Sequence, residues 1–192
     1  MTTDLDKSFR EILLGNPVNR AILERLPGLG VSDAWLVSGC LFQTVWNHLT
    51  GRTIDHGIKD YDVFYFDATD VSYDAEDVVI KRCEIVFSDL DAEIEIRNQA
   101  RVHLWYEDRF ELPYPPLRSS REGIDRFLEQ TSMIGLRPTP DGAFDIYAPN
   151  GLARVFDMVV TPNRGAPHFS AERYREKVDR WRACWPEITV RI

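Results

Sequence analysis

Hydrophobic and polar positions follow two rhythms along this chain, and each predicts a different kind of element. Leu5, Phe9, Ile12 and Leu13 recur at helical spacing behind Asp4, a candidate cap. Asn16-Pro17 opens a second helix through Ile22, Leu23 and Leu26, which Pro27-Gly28 and Gly30 close. Trp35-Leu36-Val37 is a short apolar run that fits a buried strand. It stops at Ser38-Gly39, and a helical pattern resumes through Leu41, Phe42, Val45, Trp46 and Leu49. A polar loop from Gly51 to Gly57 leads to Tyr61–Phe66, whose aromatic and β-branched residues favour a strand. Asp74 is placed to cap a helix carrying Val78, Val79, Cys83 and Val86. Ala92–Arg97 alternates strictly, with apolar Ala92, Ile94 and Ile96 against charged Glu93, Glu95 and Arg97, the pattern of a half-buried strand. Asn98 is a candidate cap for a helical segment over Gln99–Arg109.

Pro113-Tyr114-Pro115-Pro116 is a rigid connector and marks a boundary between a core, residues 1–112, and an extension, residues 113–192, that packs on it. The two parts form either separate units or one single domain. In the extension, Ser119 and Glu122 match a capping box for a helix holding Ile124, Phe127 and Leu128. Met133–Arg137 and Phe144–Tyr147 read as a hairpin turned at Pro140-Asp141-Gly142. Pro149-Asn150-Gly151 opens a short helix to Phe156, and Ser170 starts the last one, with Tyr174, Val178 and Trp181 on its inner face. The Trp181/Trp185 pair is expected in the core rather than as a base-stacking platform.

The 192 residues are 44% hydrophobic and 28% charged, an ordinary globular composition that needs neither disulfides nor a structural metal. A net charge of −8 argues against broad binding to long duplex nucleic acid, although a local basic groove stays open. Three widely separated cysteines form no disulfide framework and no zinc pattern, which favours a reducing cytoplasmic setting. The stretch Met1–Arg10 is polar and acidic, unlike a signal peptide, and no apolar run approaches a membrane span.

Lys59–Asp67 carries the candidate chemistry. In a strand Asp60 and Asp62 project on one side, roughly 6–7 Å apart. Such a pair is either a strand end with two solvated acids or a holder for a hard divalent cation such as Mg²⁺, which favours carboxylate oxygens and substrate phosphates. The strand–Ser38-Gly39–helix junction is a second feature: a glycine there lets a phosphate approach the backbone at a helix N-terminus. A third carboxylate from the Glu93/Glu95 strand can complete a metal site or take a proton from an attacking hydroxyl. Lys59 reaches either a phosphate or solvent. Arg52, in the loop before the acids, is a second candidate to track a triphosphate. Arg97 shares the charged face, where an ion pair to Glu93 or Glu95 competes with substrate contact. His103, as a general base, competes with an ordinary hydrogen-bonded histidine.

The order of a glycine, then Asp60-Tyr61-Asp62, then Ile94-Glu95-Ile96 resembles the nucleotidyltransferase superfamily that includes DNA polymerase beta. More closely, Lys59–Asp67 (KDYDVFYFD), Ile94–Tyr106 (IEIRNQARVHLWY), Ala148–Leu152 (APNGL) and Lys177–Pro186 (KVDRWRACWP) resemble a bacterial nucleotidyltransferase-like family with no established reaction. The resemblance implies an α/β (α+β) nucleotidyltransferase core, a small mixed sheet with packed helices, followed by a C-terminal hairpin and helix. It implies that Asp60, Asp62 and Glu95 are the catalytic, metal-binding acids, with Glu95 preferred to Glu93 because isoleucines flank it. Ser38, Gly39, Cys40, Lys59 and Arg97 would then bind the nucleotide. The sequence departs from the superfamily at Cys40, which stands where serine or glycine usually follows the glycine. The implied reaction moves a nucleotidyl group from a nucleoside triphosphate to a hydroxyl with Mg²⁺ or Mn²⁺ and releases pyrophosphate. The acceptor would be a small molecule, a protein or tRNA, with no membrane involved. The alternative is a catalytically inactive nucleotide-binding or partner-binding module that keeps the fold.

Overall fold

Buried side chains fall on both faces of one mixed sheet, and the two faces have different roles. The computed structural model describes residues 4–191; residues 1–3 and 192, the ends of the polar N-terminal stretch and of the extension, lie outside the described residues. The first elements are helices α1 (Asp4–Gly15) and α2 (Pro17–Arg25), then strand β1 (Trp35–Val37) and helix α3 (Gly39–Thr50). Strand β2 (Tyr61–Tyr65), helix α4 (Tyr73–Val86), strand β3 (Ile94–Asn98) and helix α5 (Tyr106–Phe110) follow. The C-terminal part adds α6 (Ser120–Ile124), β4 (Gly135–Pro138), β5 (Phe144–Tyr147), α7 (Ala153–Phe156), β6 (Val159–Val160), α8 (Ala171–Cys184) and β7 (Thr189–Val190). The five-stranded sheet has the order β3-β2-β1-β4-β5, with β2 and β3 parallel and the other neighbours antiparallel. Among the described residues no helix is long and apolar enough to cross a membrane.

Leu36, Val63, Ile96 and Leu136 face one side and merge with Phe9, Leu13, Leu23, Phe42 and Trp46 of the helices into the main core. The hairpin expected in an extension instead joins the central strand, through Leu36↔Leu136 and Val37↔Gly135. Gly135 lets the strands close up: a Cβ there would come within 2.7 Å of Ile124 Cδ1 and 3.1 Å of the Trp35 ring, so both neighbours would have to shift. The last helix also returns to the core. Trp181 and Trp185 pack edge-on against Trp46, at centroid distances of 5.9 and 5.4 Å, as the sequence predicts.

Asn16 shows how a local signal becomes a tertiary one. Its Oδ1 accepts from the amides of Val18 and Asn19, capping α2. Its Nδ2 donates to Thr44 on α3 and to the Tyr61 hydroxyl on β2, so one buried side chain registers two helices against the acid strand. Two local expectations shift. Ser72, not Asp74, caps α4, and Asp74 falls in its first turn. Asn98 ends β3 rather than starting a helix, and Gln99–Arg109 breaks into a turn, a 3₁₀ segment and the short α5.

Candidate active site

Alternation along β2 buries Tyr61, Val63 and Tyr65 in the main core and turns Asp62 and Phe64 to the opposite face. Val37 pairs with Asp62 across β1–β2, and Asp62 pairs with Glu95 across β2–β3. Val37, Asp62 and Glu95 therefore form one row over three strands, and Trp35, Phe64 and Arg97 form the next. Asp60 stands just ahead of β2, on the same side. The amide of Tyr61 donates to the Glu93 carbonyl at 2.8 Å, which holds the acid ends of the two strands level. Glu93 is exposed while Glu95 is half-buried beside Asp62, so the register distinguishes two glutamates that the alternation alone does not.

The Asp62 carboxyl is pushed up to about 7, first by burial and then by the charges of Asp60 and Glu95; Lys177 and Arg97 pull it the other way. Asp60 and Glu95 each turn to a basic neighbour instead. Lys59 Nζ lies 3.3 Å from Asp60 Oδ2, and Arg97 Nη2 lies 3.2 Å from Glu95 Oε2. In this arrangement no three His, Cys, Asp or Glu side chains among the described residues converge into a metal-binding group. The donor set nevertheless fits a hard divalent cation, because three mutually repelling carboxylates that retain a proton near neutrality would exchange it for Mg²⁺ or Mn²⁺. Closing the set requires Asp60 and Glu95 to leave Lys59 and Arg97. Those basic side chains are 70% and 40% exposed, and such pairs contribute at most about 1 kcal/mol, so the rearrangement costs little.

The strand–helix junction lies towards the Asp60 end of this row, since β1 runs antiparallel to β2 and continues from Val37 into Ser38. Ser38 takes φ 60° and ψ −120°, a conformation costly for any residue with a Cβ. It is held there by its amide, which donates to the Ile134 carbonyl at 3.0 Å, and by its carbonyl, which accepts from Leu41 and Phe42. Gly39 has an ordinary φ, and a Cβ on it would meet only the end of the Gln43 side chain, at 3.7 Å. Neither backbone strain nor crowding inside the protein explains that glycine. The Cys40 thiol is fully buried, points at the Val37 carbonyl, and burial holds its pKa well above the usual thiol range. Helix geometry aims this second position of α3 into the core, so the Cys40 side chain is closed off from the junction.

The sequence matches a family described as nucleotidyltransferase over residues 24–190, most of the chain. The chain belongs to that nucleotidyltransferase family. No curated protein matches it. A protein solved by NMR and described as revealing a CCA-adding enzyme head domain superposes with a TM-score of 0.75 at 24% identity, covering 100% of this chain and 97% of that one. At that identity the likeness speaks for the fold. The mixed sheet with packed helices expected from the resemblance is thus the one found, and family and fold together support a nucleotidyl transfer function.

Several neighbours of the acid row in this nucleotidyltransferase were given no role by the sequence. Lys177 of α8 reaches the row from the far end of the chain, held at 3.0 Å by Glu129, whose side chain is fully buried. Glu76 of α4, also buried, accepts from the Asn98 amide at 2.8 Å and pairs with Arg101, which fixes the end of β3 beyond Arg97. Both acids lie many residues from the strands they brace, and neither belongs to a periodic pattern that marks it. Arg52 is engaged elsewhere, in a two-pronged pair with Glu187 at 2.9 and 3.2 Å. His103 sits on the 3₁₀ turn after β3, with a buried, unpartnered Nδ1. Beyond Phe64 and Arg97 the acid face opens into a cleft of about 460 Å³ between the Val102–Tyr114 loop and α8.

Proposed function

We propose that this protein transfers a nucleotidyl group from a nucleoside triphosphate to an acceptor hydroxyl, with Asp60, Asp62 and Glu95 as its catalytic carboxylates. The observation that carries the reading is the registered Asp62/Glu95 pair beside Asp60, where burial first and then the charges of Asp60 and Glu95 raise Asp62 to about 7. The acceptor oxygen bonds to the α-phosphorus, the bond from that phosphorus to the bridging oxygen breaks, and pyrophosphate leaves. The acceptor proton passes to a carboxylate of the row. Asp60, Asp62 and Glu95 would hold Mg²⁺ or Mn²⁺, which would supply charge neutralisation to the triphosphate. The amides at Gly39 and Cys40 and the Ser38 hydroxyl, which makes no hydrogen bond among the described residues, take the phosphate oxygens. Lys59 and Arg97 exchange their carboxylates for phosphate when the acids turn inward.

The test is calorimetric titration with non-hydrolysable analogues of the four nucleoside triphosphates, with and without Mg²⁺, on the parent and on Asp62→Asn. Metal-dependent binding lost in the variant supports the reading, and equal affinity in both proteins sinks it. The pairing of Asp60 with Lys59 and of Glu95 with Arg97 favours a second reading, a nucleotide-binding module without turnover. Pyrophosphate release that depends on Asp60 eliminates that alternative.

A further inference from the structure

The cleft beyond the acid row differs in character from the rest of this acidic chain. Arg97, Arg126, Arg173, Lys177 and Arg180 line it against one carboxylate, Glu176. Arg97 and Lys177 are paired with Glu95 and Glu129, but Arg126, Arg173 and Arg180 form no ion pair among the described residues. Arg126 Nη1 is buried without any hydrogen-bond partner, although burying a charged donor unpaired is costly. A ligand oxygen would satisfy it. Flat faces lie between these cations: Phe64 and Phe127 stack at 5.5 Å and 19°, and Trp105 and Tyr114 form the opposite wall.

His168 closes the inner end of the cleft. It is 4% exposed, it packs against the Tyr106 and Tyr114 rings, and its Nδ1 has no partner. Burial and the neighbouring Arg173 and Arg126 push its pKa down to about 4, so the ring is neutral and its unpartnered Nδ1 is free to meet a polar group of a ligand. The walls thus offer anion-binding arginines, stacking rings and one buried, unpartnered ring nitrogen within a volume suited to a small molecule.

The position of the cleft assigns its occupant. Ser38-Gly39 lies at the Asp60 end of the acid row, and Phe64 and Arg97 stand one pleat beyond Asp62 and Glu95, roughly 6–7 Å away. In an in-line displacement the entering and leaving oxygens lie on opposite sides of the phosphorus. With the leaving pyrophosphate at Ser38-Gly39, the entering hydroxyl comes from the cleft.

We propose that this cleft binds the acceptor, a small anionic molecule of nucleotide size that carries a flat unsaturated ring. The inference rests on the transfer reading for the acceptor's role, while the cleft's own chemistry stands apart from it. The test uses adenosine monophosphate as probe in calorimetry with a chelator present, so that no metal-dependent site contributes. The parent binds it, and adenosine and ribose phosphate, each lacking half of the chemistry, bind about tenfold more weakly or worse. Arg126→Gln weakens the probe by about tenfold or more, surface Arg180→Gln weakens it less, and Asp62→Asn leaves it within about twofold. Circular dichroism establishes that each variant is folded. No binding, or equal binding by Arg126→Gln and parent, overturns the site. A second titration adds saturating non-hydrolysable triphosphate and Mg²⁺. Simultaneous binding supports the acceptor role, whereas loss of probe binding gives the cleft to the donor and overturns it. A triphosphate that never binds overturns the transfer reading and the acceptor role together, and leaves the metal-free probe data to decide the anion site.

Discussion

Lys177 Nζ lies 3.0 Å from Glu129 Oε2, and the glutamate side chain has no exposed surface. Ser132 Oγ also donates to that oxygen at 3.1 Å, while Oε1 has no partner. Lys177→Met would strand a buried charge and is expected to cost about 3–5 kcal/mol in urea denaturation. The double variant Glu129→Gln/Lys177→Met should recover most of that loss, because neither charge then remains. A single-variant cost below about 1 kcal/mol would mean that the pair is solvated.

Asp62 makes stability depend on pH and on metal. Its carboxyl titrates at about 7 in the folded protein, against roughly 3.9 when unfolded, so between those values the folded state holds a proton that the unfolded chain has released. Stability therefore falls as pH rises through that window, and the penalty is complete above about pH 7. Asp62→Asn removes the penalty and should be more stable than the parent at about pH 8, by the order of 2 kcal/mol. Mg²⁺ should raise the parent's Tm at about pH 8 and scarcely at pH 5, where the proton occupies its place. A parent and variant with the same pH profile would count against the buried-carboxylate account.

His168 acts in the opposite sense. Its pKa is lowered to about 4, from roughly 6.5 in an unfolded chain, so as pH falls the unfolded state takes up a proton first. Its contribution is complete above about pH 6.5 and is lost as pH falls through about 4, at most of the order of 3 kcal/mol. In the parent this slope offsets that of Asp62 between about pH 4 and 6.5, so each emerges only as a difference between parent and variant. His168→Gln, compared with the parent in urea melts across that range, should lose the acid-side slope.

Ser38 separates stability from binding. Its φ of 60° and ψ of −120° suit glycine, so Ser38→Gly should relieve the strain and stabilise the fold by about 1 kcal/mol. Loss of the hydroxyl should weaken the triphosphate analogue at the same time. Stabilisation with unchanged affinity would confine the phosphate contacts to the backbone.

Where side-chain rhythm was strong, the sequence was sufficient. The alternation of Tyr61–Tyr65 and Ile94–Asn98, the Asn16-Pro17 cap and the apolar faces of α3 and α8 each express one local preference that packing did not overrule. Gln99–Arg109 misled because its spacing was helical only in short pieces, and Asn98 instead spends its side chain on Asp67 and Ala100. The candidate acids were legible because alternation assigns a face. The cleft was not, because its walls come from segments more than seventy residues apart, Phe64 and Arg97 on one side and His168 and Lys177 on the other.

By itself the sequence determined the faces: which residues of each strand meet the core, and that Asp60 and Asp62 share one side. Only the tertiary structure decided partnership. Pairing β2 with β3 in register chose Glu95 over Glu93 as the neighbour of Asp62, and the return of α8 brought Lys177 to the same row. Periodicity is a property of one segment, whereas register and the desolvation that raises Asp62 depend on what a second segment places beside it.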